Sequence, residues 1–146
     1  MFDLDDVRSF LSEEHGLAVV STVQSDGRVL SSVVNAGVAN HPTTGEPALG
    51  FVSAGSAARL AHIRRGSEVS LTVRRGWRWV SVTGPAMIVG PDEPGDLDAD
   101  SISSLLRDVF SAAGGTHENW DEYDRVMRAD RRAAVFVDPV RILGNG

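Results

Sequence analysis

The sequence predicts a mainly β, α+β fold: an antiparallel sheet of about six strands closed into a small split barrel, with peripheral helices at its rim. Three observations carry this reading. Runs rich in β-branched residues recur along the chain, turn signals such as Ser25-Asp26-Gly27 and Arg75-Gly76 join them as hairpins, and the helical segments between them are short. The 146 residues are 42% hydrophobic and 23% charged, with no linker, repeat or charge block, so residues 1–146 read as one domain able to bury a core.

Asp3 caps a helix to about His15, with Leu4, Val7, Phe10 and Leu11 at helical spacing and Gly16 as its stop. Leu17 to Gln24 and Arg28 to Val38 form the first hairpin. A loop through Asn40-His41-Pro42 leads to a third strand, Ala48 to Ser53, and Gly55-Ser56 opens a short helix ended by Gly66. Glu68 to Arg74 and Trp77 to Val89 read as a further pair, the second interrupted at Gly84-Pro85, where a missing N–H predicts a bulge, an edge or a close backbone approach. An acidic loop, Pro91 to Asp100, precedes helices from Ser101 to about Ala113 and from Glu118 to Ala129. Ala133 to Leu143 closes the sheet.

Several chemistries are excluded at once. The absence of cysteine removes disulfides, thiolate catalysis and Cys-ligated metals, and the four histidines, at 15, 41, 62 and 117, lack the spacing of a helical metal pair. No serine lies in a Gly-x-Ser-x-Gly elbow, and the acids fall in a loop and on helix faces, where they read as solvation. His62 reads as a surface or cap residue. No apolar run of 18 residues occurs and the N-terminus is acidic, so a cytoplasmic protein without a membrane partner is expected.

The basic residues say more than the net charge of -6. All 14 are arginine, and six of them (Arg59, Arg64, Arg65, Arg74, Arg75 and Arg78) fall where Glu68 is the only acid. In an acidic chain this points to a specific anionic ligand and not to nucleic acid. Ser53, Ser56 and Arg59 stand where a strand passes into a helix, an arrangement suited to a phosphate; alternatively Ser56 only caps the helix and Arg59 faces water. Trp77 and Trp79, two apart on one strand face, wall a ring-binding cleft or fill the core, and Trp120 poses the same choice on its helix. Asn35 and Gly37 interrupt the apolar run Val33 to Val38, as a ligand edge or an ordinary sheet end would.

The order of these pieces resembles the pyridoxamine-phosphate-oxidase-like split β-barrel family. The pieces are the hairpin Leu17 to Val38, the helix Ser56-Ala57-Ala58-Arg59-Leu60-Ala61-His62-Ile63, the strand Val69 to Val73, the segment Trp79 to Ala86 and the ending Ala134 to Ile142. More narrowly, the chain is similar to the actinobacterial branch dependent on the deazaflavin coenzyme F420. Two departures stand out: Ala57 and Ala58 precede the arginine where the family often has another basic residue, and Leu143 replaces a terminal aromatic.

The resemblance implies an F420-dependent oxidoreductase that transfers a hydride between the reduced cofactor and an unsaturated or conjugated small molecule, with FMN as the alternative cofactor. It further implies a homodimer with the cofactor between two barrels. Arg59 would take the phosphate role, with Ser53 and Ser56 nearby. The remaining contacts implied are Val34, Asn35 and Gly37 on the second strand, Arg75, Trp77 and Trp79 around the later hairpin, Trp120, and Arg141. A tail carrying a phosphate and several glutamate carboxylates would suit the arginine-rich strip, Arg64, Arg65, Arg74, Arg75 and Arg78. In such a scheme no side chain need act as acid or base. A non-catalytic cofactor carrier or a haem-binding barrel, with His62 or His117 as axial ligand, is the third reading.

Overall fold

The computed structural model describes residues 1–145. In chain order the elements are α1 (Leu4–Glu13), β1 (Leu17–Val23), β2 (Val29–Asn40), β3 (Pro47–Ser53), α2 (Ala58–Arg64), β4 (Val69–Arg75), β5 (Arg78–Gly84), β6 (Ala86–Val89), α3 (Ala99–Ala112), α4 (Trp120–Ala129), β7 (Ala133–Val137) and β8 (Arg141–Gly144). The strands form one antiparallel sheet in the order β6-β7-β3-β2-β1-β4-β5-β8, curled into a split barrel around an apolar interior.

The strands number eight and not about six because two of the expected strands each divide. The segment from Trp77 to Val89 breaks at Pro85, which has no N–H for the ladder, and the last segment breaks at Asp138-Pro139. The two breaks lie against each other. Asp138 N donates to Pro85 O at 3.0 Å, and a Cβ at Gly84 would lie 1.8 Å from the Asp138 carbonyl oxygen. Here the chain passes from β5, paired with β4 and β8, to β6, paired with β7, and this exchange links the two ends of the curled sheet.

Side-chain alternation gives the sheet two apolar faces. Val20, Val34, Phe51, Leu71, Val82 and Val135 point into the barrel, where Val7, Phe10 and Leu11 of α1 and Leu60 and Ile63 of α2 close its ends. Each fully buried side chain of this size stabilises the fold by about 1.5–3 kcal/mol. Asp3 fixes the start of α1 through a reciprocal capping box with Asp6. On the opposite face of β3, β6 and β7, the side chains of Ala48, Val89, Ala134 and Phe136 meet Ile102, Leu106 and Val109 of α3 and Tyr123 of α4.

No helix of the described residues covers the outer face of β1. Leu17, Val19 and Val33 are 48%, 43% and 61% exposed, and Val19 and Val33 are register partners. His62 corrects the surface placement expected for it: it is 7% exposed, and its Nδ1 lies 2.8 Å from Thr22 Oγ1 beneath α2. A short helix sealing a barrel end turns three of four successive residues, Leu60, His62 and Ile63, toward the core and its margin. No helix of the described residues is long and apolar enough to cross a membrane.

Candidate functional site

Burial of Leu60 and Ile63 fixes α2 against the barrel and turns Arg59 toward the ends of β2 and β3. There its Nη1 donates to Ser53 Oγ at 3.0 Å and its Nη2 to Ser32 Oγ at 2.8 Å. Ser53 is 1% exposed and passes its own hydrogen to the Ala54 carbonyl, at 3.2 Å. Arg59 Nε is buried without a hydrogen-bond partner, and among the described residues no carboxylate pairs with the guanidinium.

A second arginine stands at the same sheet end. Ser53 pairs with Ala133, so Arg132 flanks the site; its Nε is also buried and unpartnered, and its contact with Asp130 is at 3.5 Å. Burial, and then the charge of Arg132, lower the Arg59 pKa from its ordinary value. Two like charges held together with unsatisfied N–H groups are costly, about 1–3 kcal/mol for each buried donor, unless an anion joins them. The donor set, two guanidiniums and the hydroxyl of Ser32, fits a phosphate.

The other expected site residues disperse. Ser56 is exposed, and the α2 N-cap, Ala57, makes no side-chain cap. The Val34 side chain points into the core, leaving only its backbone for a ligand. Gly37 lies under α3, where a Cβ would meet the Ala112 carbonyl, so packing accounts for it. Asn35 Nδ2 donates to His15 O at 3.0 Å, beside Leu17. Trp120 joins an aromatic cluster with Phe110 and Tyr123, with Arg107 5.4 Å from its ring centroid.

Trp77 departs from the expected shared strand face. Arg75 pairs with Arg78, so Gly76 and Trp77 form the turn itself and Trp77 is 94% exposed, yet it and the half-buried Trp79 flank one shallow groove with Thr72 and Arg74. Arg141 is exposed on β8 opposite Thr83. Within the arginine strip, Arg64 makes a bidentate pair with Glu93 at 2.7 and 2.6 Å, Arg75 is held by Glu13 and Glu14, Arg78 sits over the Phe10 ring at 5.5 Å, and Arg74 donates to the Gly76 carbonyl.

Thus only Ser53 and Arg59 of the expected set meet directly, while Ser32 and Arg132 are additions. Ser32 has a sequence signal: it shares the inward parity of Val34 and Ala36 on β2. Arg132 has only its place, immediately before the last core strand. Beyond Arg132 opens a cavity of about 330 Å³, lined by Asn35 and His15 at one side and by Val52, Phe110, Tyr123 and Met127. Burial pushes the Tyr123 hydroxyl up to about 12, and it donates to the Leu106 carbonyl.

No family model matches the chain. Its backbone is similar to solved structures. The conserved hypothetical protein Rv2991 of Mycobacterium tuberculosis is 17% identical over 99% of this chain and 84% of its own, with a TM-score of 0.68. A pyridoxamine 5'-phosphate oxidase-related, FMN binding protein of Nostoc punctiforme is 10% identical, over 97% and 81%, with a TM-score of 0.61. A heme binding protein of Mycobacterium smegmatis is 12% identical, with a TM-score of 0.65; all of this chain spans 55% of that one. These likenesses show the fold: a split antiparallel β-barrel with peripheral helices, the architecture that the sequence resemblance implied.

Proposed function

We propose that this chain is a flavin-type oxidoreductase that grips its cofactor by a phosphate laid on Arg59 and Ser32, with Ser53 bracing the Arg59 guanidinium and the charge of Arg132 behind them. The observation that carries the reading is Arg59 itself, a half-buried guanidinium fixed by two hydroxyls, without a carboxylate and with its Nε buried and lacking an acceptor. When bound, such a cofactor supplies hydride transfer to or from an unsaturated or conjugated small molecule. The chain's residues anchor the phosphate and, through Asn35, offer an amide at the neighbouring sheet end.

FMN and the deazaflavin F420 divide on the tail. The glutamates of an F420 tail need free cations; Arg64 and Arg75 are engaged by Glu93, Glu13 and Glu14 and Arg78 lies on Phe10, which leaves Arg65 and Arg74 as the strip's cations without a carboxylate or ring partner among the described residues. A terminal phosphate, carrying nearly two charges at neutral pH, suits the Arg59 and Arg132 pair without them. The arrangement therefore favours FMN over F420. The fold likeness to an FMN binding protein supports the same choice. The uncovered strip of Leu17, Val19 and Val33 supports a homodimer built on the outer face of β1 and β2.

The test is a fluorescence titration of cofactor-free protein with FMN, with riboflavin and with F420. FMN is expected to bind about 10–100-fold more tightly than riboflavin, as one or two charge-assisted hydrogen bonds warrant. Arg59→Gln should bring FMN to the riboflavin level with an unchanged circular dichroism spectrum. Equal affinity for FMN and riboflavin would overturn the phosphate assignment, and tighter binding of F420 than FMN would restore the deazaflavin.

A further inference from the structure

We infer that the cavity beside Arg132 is a substrate pocket for a small, flat, conjugated monocarboxylate. The inference rests on the oxidoreductase reading above, because it names what that cofactor would act upon.

Three features of the cavity lead there. Its volume of about 330 Å³ lies at the small end for ligand pockets. Its walls are apolar and in part aromatic: Phe110 and Tyr123, with ring centroids 4.9 Å apart, stand with Val52 and Met127. Tyr123 adds no donor, since its hydroxyl is committed to Leu106. Polar groups line its margin, Asn35 and His15 together with Arg132, whose Nε–H is buried without an acceptor and whose Nη2 stands 3.5 Å from Asp130. A single guanidinium whose one carboxylate neighbour, Asp130, is no nearer than 3.5 Å matches the two oxygens of one carboxylate.

The cavity is also placed for such work. Asn35 lines it, and the pairing of Ser53 with Ala133 puts Arg132 next to the proposed phosphate site. A second cavity of about 360 Å³ shares Arg132 and Met127 but lies on the far side, under Pro94 and Leu97, away from Asn35. Its other arginines, Arg128 and Arg131, are paired with Asp100 and Asp92.

The probe is cinnamate, titrated calorimetrically into cofactor-free protein, with cinnamyl alcohol as its uncharged counterpart. One cinnamate is expected per chain, at least about tenfold tighter than the alcohol, the worth of one charge-assisted contact. Arg132→Gln should remove that preference and Arg132→Lys should keep part of it. Arg59→Gln, which tests the phosphate site, should leave cinnamate binding within about threefold while FMN affinity falls, so the two readings fail separately. Leu97→Trp, filling the second cavity, should change nothing. The inference is overturned if cinnamate and the alcohol bind alike in the parent protein, if Arg132→Gln keeps the preference, if Leu97→Trp abolishes binding, or if FMN displaces cinnamate one for one.

Discussion

Gly37 and Ala112 touch through their backbones: a Cβ placed on Gly37 would lie 2.1 Å from the Ala112 carbonyl oxygen and 2.3 Å from its carbon. The obstacle is backbone at the end of α3, which cannot swing aside as a side-chain tip can. Gly37→Ala is therefore expected to lift α3 from β2 and to cost about 1–3 kcal/mol, the range for overpacking in a close-packed interior. Urea denaturation with an unchanged slope and an earlier midpoint would register it. An unaltered midpoint would mean that Gly37 is not a packing position.

Thr22 and His62 form a polar pair inside the margin of the barrel, at 2% and 7% exposure. Thr22→Val keeps the shape and deletes the hydroxyl, leaving the His62 ring nitrogen enclosed without its partner. We expect a loss of about 1–3 kcal/mol, the cost of an unsatisfied buried group. The double variant Thr22→Val with His62→Leu should recover part of it, and a thermal denaturation cycle over the four proteins measures the coupling.

Asp124 accepts two hydrogen bonds from Arg107, at 2.9 and 2.5 Å, and these hold its pKa below the ordinary value of 3.8. A depressed carboxylate stabilises the fold above its unfolded pKa, and that contribution is lost as the pH falls through the folded value. Asp124→Asn should thus cost about 1 kcal/mol at neutral pH, for a pair at the edge of solvent. The gap between variant and parent should close in acid, below the ordinary carboxylate range. Denaturation curves at neutral pH and in strong acid decide it; a gap independent of pH would place the effect in packing of Arg107 on Trp120.

The parts legible in the sequence were those with a local cause. Asp3 and its capping box, the Ser25-Asp26-Gly27 turn and the alternation of β1 each follow from residues within a few positions of one another. Gly84-Pro85 was readable as an interruption, but its consequence was not: that β6 would leave β5 and pair with β7 depends on Asp138, more than fifty residues on in the chain. The site divides the same way. Arg59 and Ser53 are six apart and meet. Ser32 and Arg132 join them only because β2 and β7 both flank β3, a fact of topology. Within the arginine strip the sequence could not show that Arg64 and Arg75 are engaged, since their partners Glu93, Glu13 and Glu14 come from other elements.

Val19 and Val33 face each other across β1 and β2 on the side without helices, with Leu17 beside them. A strand face left to water ordinarily alternates to polar residues, and the apolar row at this exposure is what the proposed dimer would cover. In an isologous dimer each substitution enters the interface twice, and Val19→Glu would set two carboxylates in or near one apolar contact. Light scattering should find the parent protein at twice the chain mass and Val19→Glu at the chain mass, with the far-ultraviolet spectrum retained because the barrel interior is untouched. Ser21→Glu, on the same face at a position already polar, is the graded control and should weaken association less. A parent protein that is monomeric at every concentration would remove the dimer and with it the expectation of a cofactor held between two barrels.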